Sequence, residues 1–186
     1  MKMAKKLLAV VLAGVLAVSL LTGCGGAVST MIIAGEAVSA ETIADAMSNM
    51  SKGEGVVYEE KPELDEKAGL IAEEFRRREK NNSGNKTDIY GKIMGIMGED
   101  YADKYVWIAA TTTKGNDVMT QASNLLEDLE DVETDSNINS AVPKGKSPAN
   151  VRSIGTAPIT MNGVDYCFAV ITADAVQERS DFSDLS

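Results

Sequence analysis

Cys24 follows Leu21-Thr22-Gly23 and is one of the two cysteines in the sequence, the residue type whose thiol can form a covalent bond. The residues in front of it have the three parts of an export signal. Residues 1–6 are basic, residues 7–21 are almost entirely apolar, and small residues lead to the cysteine. The apolar run is shorter than the roughly 20 residues that span a bilayer as a helix. The sequence therefore predicts an export signal over residues 1–23.

Leu21-Thr22-Gly23-Cys24 resembles the lipobox of bacterial lipoproteins. The resemblance implies that signal peptidase cuts before Cys24 and that this cysteine carries a diacylglyceryl thioether. Two or more acyl chains hold a protein firmly on a bilayer, at about 0.8 kcal/mol per buried CH₂. We therefore expect a palmitate-type lipid anchor in the cell membrane of a Gram-positive-type cell, with the domain on the extracellular or periplasmic side. The alternatives are an uncleaved anchor or an ordinary thiol at Cys24.

The charge balance limits the partners of the mature chain. Removing residues 1–23 takes away three lysines and no acids, so the formal net charge changes from −10 to −13. Such a balance argues against nucleic acid as a partner, because phosphates need basic patches. It also argues against electrostatic binding to anionic lipid headgroups. The expected partners are the membrane, through the lipid at Cys24, and an extracellular protein or small ligand.

Histidine is absent from the chain, and Cys167 is the only cysteine besides Cys24. The absence of histidine excludes Ser-His-Asp and Cys-His catalysis and argues against a zinc enzyme. Cys167 lies in Tyr166-Cys167-Phe168-Ala169-Val170, which is typical of a buried strand, so it is expected to be an inert small hydrophobe. No intrachain disulfide is expected, and no metal or cofactor is predicted.

The acidic segment after residue 127 matches a calcium loop only in part. Counted from Asp131, its first, third and fifth positions are Asp131, Glu133 and Asp135. The sixth position is Ser136 where a glycine is expected, and the twelfth is Val142 where a glutamate is expected. The pattern therefore favours a solvated acidic helix face.

Apolar periodicity and capping residues predict four helices. They are expected to start near Ser39 and end at Gly53, to run over residues 62–81, to follow a cap at Asp88, and to follow a cap at Asp117. Gly91, Gly95 and Gly98 recur on the third helix, and their spacing favours close packing against a neighbour.

Two stretches predict the sheet. Residues 105–113 are β-branched and aromatic, which is typical of a central strand buried on both faces. Residues 151–161 and 164–172 flank Asn162-Gly163, the preferred pair for a two-residue hairpin turn. Residues 24–39 are expected to be a tether or N-terminal extension, and Met31-Ile32-Ile33 could pack on the domain or on the membrane. Residues 175–186 are expected to be a polar tail.

The order of these elements over residues 40–174 resembles the CAP superfamily of SCP-like secreted domains. The stretch Pro62-Glu63-Leu64-Asp65-Glu66-Lys67-Ala68 is similar to the start of that family's second helix, and Gly98-Glu99-Asp100 is similar to its Gly-Glu-Asn. Ile154-Gly155 followed by the Asn162-Gly163 hairpin is similar to its last two strands. The resemblance implies an α+β fold, an α-β-α sandwich around a small antiparallel sheet with a C-terminal β-hairpin.

The chain departs from the family's pattern at the cavity, where the family commonly pairs two histidines with two acids. By position, Asn81 or Asn82 replaces the first histidine and Asn137 the second, and Glu99 is the one cavity acid that carries over. The resemblance thus implies Glu99 and Asn137 as ligand-binding residues. Asparagine cannot shuttle protons near neutral pH and is a weak zinc ligand, which argues against metal-dependent or hydrolytic activity.

Three functions are compatible with these features. The favoured one is a non-enzymatic, lipid-anchored surface lipoprotein whose single domain binds a partner. The alternative is a carboxylate-dependent hydrolase of cell-wall glycan or peptide, using Glu99 with Asp100 or Asp103 as an acid/base pair. A solute-binding component of an importer is less favoured, because 163 residues are few for two lobes around a cleft.

Overall fold

A computed structural model describes residues 29–33, 36–80, 87–130 and 137–177. Its helices are α1 (Ile43–Met50), α2 (Pro62–Lys80), α3 (Thr87–Met97) and α4 (Val118–Glu130), with 3₁₀ turns at Ser51–Glu54 and Glu99–Tyr101. Its strands are β1 (Ser29–Ile33), β2 (Glu36–Ala40), β3 (Val57–Glu60), β4 (Tyr105–Thr112), β5 (Lys146–Met161) and β6 (Val164–Gln177). The predicted α+β class is confirmed.

Strands β3 to β6 form one sheet in the order β3-β5-β6-β4. Helices α1 and α4 cover one face, where buried side chains such as Met47, Leu125 and Trp107 make one core cluster. Helices α2 and α3 cover the other face, where Leu64, Ile93 and Phe168 belong to a second cluster. Residues of β4 and β6 alternate between the two clusters because successive side chains of a strand point to opposite faces. The described part of the chain is thus an α-β-α sandwich.

The expected antiparallel sheet is wrong in one strand, because β3 pairs with β5 in parallel. The other two pairings, β4 with β6 and β5 with β6, are antiparallel. The sheet is therefore mixed. A parallel pair needs a long crossover, and here α2, α3, β4 and α4 all lie between β3 and β5 in the chain.

The prediction for residues 105–113 is half right. Strand β4 is buried on both faces, but it lies at the edge of the sheet and not in its centre. Its edge position was hidden in the sequence because helices on both faces of the sheet make the side chains of an edge strand as apolar as those of a central one. The backbone hydrogen bonds decide whether a strand is central or at the edge, and they do not change which residue types the strand contains.

The closing hairpin is confirmed, with Met161 paired to Val164 across the turn. Asn162 and Gly163 have φ values of 50° and 77°, which a two-residue turn of type I′ requires. Both arms are longer than predicted, because β5 begins at Lys146 and β6 continues to Gln177. The expected polar tail is therefore wrong for residues 175–177, which pair with residues 146–148 across an irregularity in β5.

Three helix boundaries differ from the prediction. Strand β2 occupies residues 36–40, so α1 begins only at Ile43 and is capped by the Thr42 hydroxyl, which accepts a hydrogen bond from Asp45 N at 3.2 Å. After α1, a 3₁₀ turn over Ser51–Glu54 includes Gly53, so the helical segment does not end there. It ends at Gly55, which has a φ of 73°. Helix α3 begins at Thr87, so Asp88 lies within it and is not its cap. Asp117 does cap α4, accepting from Thr120 N at 2.8 Å.

The predicted packing of the α3 glycines is wrong. A Cβ built at Gly91, Gly95 or Gly98 would meet no atom within 4 Å, so these positions face open space. Gly98 instead has a φ of 85° just after the end of α3. The glycine that permits close packing is Gly155, where a Cβ would lie 2.1 Å from the main-chain carbon of Leu64. There the start of α2 rests directly on β5.

Replacing Gly91 or Gly95 with alanine is expected to stabilise the domain. Both positions are exposed within α3, and glycine costs a helix roughly 0.5–1 kcal/mol relative to alanine. Urea unfolding of Gly91→Ala should show a rise of that size in the free energy of unfolding. Gly98→Ala is the matched control and should destabilise, because its φ disfavours a residue with a Cβ. A destabilised Gly91→Ala variant would contradict the open environment of α3.

Residues 29–33 and 36–40 form the antiparallel strand pair β1 and β2. The backbone of β1 comes within 8 Å of that of α4, measured between Cα atoms. This part of the expected tether is therefore a pair of strands beside the domain. Among the described helices, none is long and apolar enough to cross a membrane.

Candidate functional site

The predicted site residues Glu99 and Asn137 lie near the beginning of β4. Glu99 opens the 3₁₀ turn Glu99–Tyr101, and its side chain is exposed, as are those of Asp100 and Asp103. Asn137 begins the segment of residues 137–139 that runs beside the outer edge of β4. Cys24, Asn81 and Asn82 lie outside the described residues, as does the acidic stretch of residues 131–136.

The side-chain amide of Asn137 is engaged with the main chain. Its Oδ1 accepts from Val106 N at 3.0 Å and from Asn139 N at 3.1 Å, while its Nδ2 donates to Asn139 O at 2.9 Å. Ile138 N donates to Val106 O at 3.0 Å. Residues 137–139 therefore cover the edge of β4 at Val106.

Asn139 is the residue that sequence reasoning missed. Its side chain is 4 % exposed, and its Nδ2 donates to Tyr101 O, Ala102 O and Lys104 O at 2.8–3.1 Å. Its Oδ1 accepts from Ala141 N at 3.1 Å. One amide thus fixes the turn that carries Glu99 to the segment that carries Asn137. The repeat Asn137-Ile138-Asn139 was the available signal, because asparagines often bond to neighbouring main-chain groups.

Two neighbouring groups of this region have shifted pKa values. Burial, followed by the charge of Glu63, raises the pKa of Tyr101, and Lys67 Nζ lies 5.4 Å from the centre of the Tyr101 ring. A hydrogen bond to Asp174 raises the pKa of Lys104, with Nζ 2.5 Å from Oδ1. Lys67 also donates to Ile96 O and Met97 O, so its charge caps the last turn of α3. These contacts hold the turn in place and leave its carboxylates facing solvent.

The described residues offer no metal centre. No group of three or more cysteine, aspartate or glutamate side chains is arranged to hold a cation in residues 29–33, 36–80, 87–130 or 137–177. Cys167 is fully buried, as its strand pattern predicted. Glu99, Asp100 and Asp103 are all exposed, which is poor geometry for a carboxylate pair in acid/base chemistry.

A second feature is a depression of about 320 Å³ on the outer side of α2. Leu70, Glu73, Glu74, Arg76 and Arg77 line it. Glu74 pairs with Arg78 at 3.0 Å, and Glu73 pairs with Arg76 at 2.5 Å. The charged side chains that line the depression therefore form ion pairs with one another along α2. None of these lining charges is left to pair with a charged ligand.

Glu74 is the carboxylate with the largest pKa change in this feature. Hydrogen bonds from Arg77 and then Arg78 lower its pKa from 4.5 to about 2. Its side chain is 12 % exposed, and Lys92 Nζ lies 3.6 Å from it. The ionised form is therefore favoured in the folded state.

Glu74→Gln is expected to lower the free energy of unfolding at pH 7 by about 1–2 kcal/mol, less than the full pKa shift implies because Arg77 is largely exposed to solvent. The folded-state pKa lies below the unfolded value, so the stabilisation is complete above about pH 4.5 and is lost as the pH falls towards 2. Urea unfolding at pH 7 and pH 3 should show the difference shrinking in acid. Glu73→Gln, at a more exposed pair, is the control and should change little. An equal difference at both pH values would contradict the assignment.

Comparisons of the chain with protein-family models, with curated proteins and with solved structures found no match. A function can therefore be inferred only from the sequence of this chain and from the geometry of its described residues.

Proposed function

We propose that the protein is an exported lipoprotein, held on the outer side of the cell membrane by acyl chains on Cys24, whose domain binds a partner and is not an enzyme. The observation that carries the proposal is Leu21-Thr22-Gly23-Cys24 at the end of a basic and then apolar segment. The domain has helices packed on both faces of its sheet, so its core is enclosed. Such a domain can be exposed outside the membrane while it is tethered by a lipid.

Binding is favoured over hydrolysis by the surroundings of the acids. A carboxylate pair that performs acid/base work needs two environments that separate their pKa values. Glu99, Asp100 and Asp103 all have exposed side chains on one short surface turn. Histidine, which could replace one of them, does not occur in the chain.

Membership of the SCP-like fold belongs to the same proposal. Its supports are the three-layer arrangement, the closing hairpin and Gly155 beneath the start of α2. The parallel strand β3 departs from the antiparallel sheet that the resemblance implied. The proposed binding function does not depend on this membership.

Cys24→Ala tests the anchor in a Gram-positive-type host. The unaltered protein should enter the membrane fraction, with a mass that fits cleavage before Cys24 plus a diacylglyceryl group. The variant should leave that fraction or accumulate as an unprocessed precursor. Cys167→Ala is the matched control, since it removes a thiol that is buried in the sheet, and it should be processed normally. Unchanged processing and membrane partitioning of Cys24→Ala would refute the anchor.

A further inference from the structure

The edge strands β3 and β4 differ in how their outward-facing main-chain groups are hydrogen-bonded. At the β3 edge, the Ser48 hydroxyl accepts from Tyr58 N at 2.8 Å and donates to Tyr58 O at 3.1 Å. This strand is four residues long and carries Glu59 and Glu60. A short, charged and covered strand resists pairing with another chain.

Among the residues that the structure describes, those that bond to the β4 edge do so at its two ends. In an antiparallel pair, alternate residues direct both the N–H and the C=O group away from the partner strand. Thr113 N donates to Asp165 O, next to the β4–β6 ladder, so the odd-numbered residues face β6 and the even-numbered ones face outward. Val106 N and O bond to Asn137 and Ile138, and Thr112 O accepts from Asn116 Nδ2 at 2.8 Å.

Between these covered ends lie Ile108 and Ala110. Their N–H and C=O groups also point outward, and no hydrogen bond to these four groups occurs in the described part of the chain. Ile108 and Ala110 are 8 % and 7 % exposed, whereas their neighbours Trp107 and Ala109 are each 1 % exposed. Part of each of these two outward-facing residues is therefore accessible to solvent.

The elements that flank this gap carry exposed acidic side chains. Asp103 precedes β4, and α4, which packs against β4, exposes Glu127 and Asp128. Residues 137–138 already bond to this edge through main-chain and amide groups. A further extended segment would continue the same mode of contact, and basic side chains on it would complement the acidic surroundings.

We propose that the open edge of β4 at Ile108–Ala110 is a docking site for an extended, basic segment of a partner polypeptide, which adds a strand to the sheet. The proposal deepens the proposed function, because it names the surface and the kind of partner. It does not require the lipid at Cys24, so loss of the anchor and loss of this site are separate results.

Amide hydrogen exchange on the free domain is the first test. The N–H groups of Ile108 and Ala110 should exchange at least roughly 100-fold faster than those of Trp107 and Ala109, which face β6. Equal protection of all four would mean that the edge is covered in solution, and that result would overturn the proposal.

The second test titrates the domain with the peptide acetyl-Lys-Val-Thr-Val-Lys-amide and follows backbone amide resonances. Binding should shift Ile108 and Ala110 most and slow their exchange. N-methylation of alternate peptide bonds should weaken binding by roughly tenfold or more, because it removes the donors that pair with the edge. Replacing both lysines with glutamate should weaken binding to a similar degree.

If N-methylation does not weaken binding, the peptide is held by charge attraction alone, and the proposal is overturned. The absence of binding at millimolar peptide would overturn it as well. Ala110→Pro gives the matching change in the protein, since proline removes an outward N–H without breaking the bonds to β6. This variant should stay folded and lose the peptide, whereas Ala109→Pro, which removes a bond to β6, should unfold. If Ala110→Pro unfolds, the N-methylated peptide decides the question by itself.

Discussion

Gly155→Ala is expected to destabilise the domain by about 3 kcal/mol or more, a large part of the roughly 5–15 kcal/mol that holds a domain folded. The new methyl group would lie 2.1 Å from the main-chain carbon of Leu64 and 2.4 Å from Asp65 N. Main-chain atoms cannot relieve the clash by a change of rotamer, so the start of α2 would have to move away from β5. That movement would break the bonds from Lys61 N to Ile154 O and from Thr156 N to Asp65 Oδ1.

Thermal unfolding measures this effect. At about 2–4 °C per kcal/mol for a domain of this size, the melting temperature should fall by roughly 6–12 °C. Gly69→Ala is the matched control on the opposite side of the same contact, where a Cβ would lie 3.8 Å from Ala157 Cβ. It should leave the melting temperature unchanged or raise it, because alanine favours the helix. Similar melting temperatures for the two variants would show that α2 is not pressed onto β5 at residue 155.

Asn139→Asp should destabilise the folded state by about 3–5 kcal/mol at pH 7, although it replaces one side-chain NH₂ with an oxygen of similar size. The amide donates to Tyr101 O, Ala102 O and Lys104 O from a buried position. A carboxylate there would point negative charge at three carbonyl oxygens and leave them without a donor.

The penalty in this variant should depend on pH in a defined direction. Burial beside carbonyl oxygens raises the pKa of the new carboxyl above its unfolded value of about 3.9. The penalty from charge is therefore absent below that value and grows as the pH rises through the folded-state pKa. Urea unfolding at pH 4 and pH 7 checks this, with the exposed Asn150→Asp as the control for an added charge. A penalty that does not change with pH would mean that residue 139 is not enclosed as described.

The features that the sequence predicted well depend on neighbours in the chain. Asn162-Gly163 allows two consecutive positive φ angles, and Asp117 caps α4 from three residues away. The apolar stripe Leu64, Ala68 and Ile71 of α2 likewise follows from helical periodicity and is fully buried. Each of these depends on the local chain, so residue types and spacing were enough.

The features that it missed depend on distant partners. Nothing in Val57-Tyr58 indicates that its partner lies at residues 151–152 or that the two run parallel. The glycine spacing of α3 resembled a packing motif, yet the tight contact is made by Gly155, an isolated glycine in a strand. A single glycine signals a close approach only when the facing element is known.

The candidate site was predictable in part. Residue types removed histidine and disulfide chemistry from consideration, and the strand pattern predicted the buried Cys167. The position of Glu99 on an exposed turn and the engagement of Asn137 with Val106 required coordinates. The open β4 edge could not be foreseen at all, because it consists of main-chain groups that every sequence contains.

The order in which the strands enter the sheet has a consequence for how the chain folds during synthesis. The two inner strands, β5 and β6, occupy residues 146–177, after every described helix. Helices α1 to α4 therefore leave the ribosome before the surface that joins their two layers exists. Contacts between residues far apart in sequence slow folding, and here those made by β5 and β6 await the final hairpin. Arrest of synthesis before residue 146 should leave a protease-sensitive chain, and release past residue 177 should let both layers close in one cooperative step.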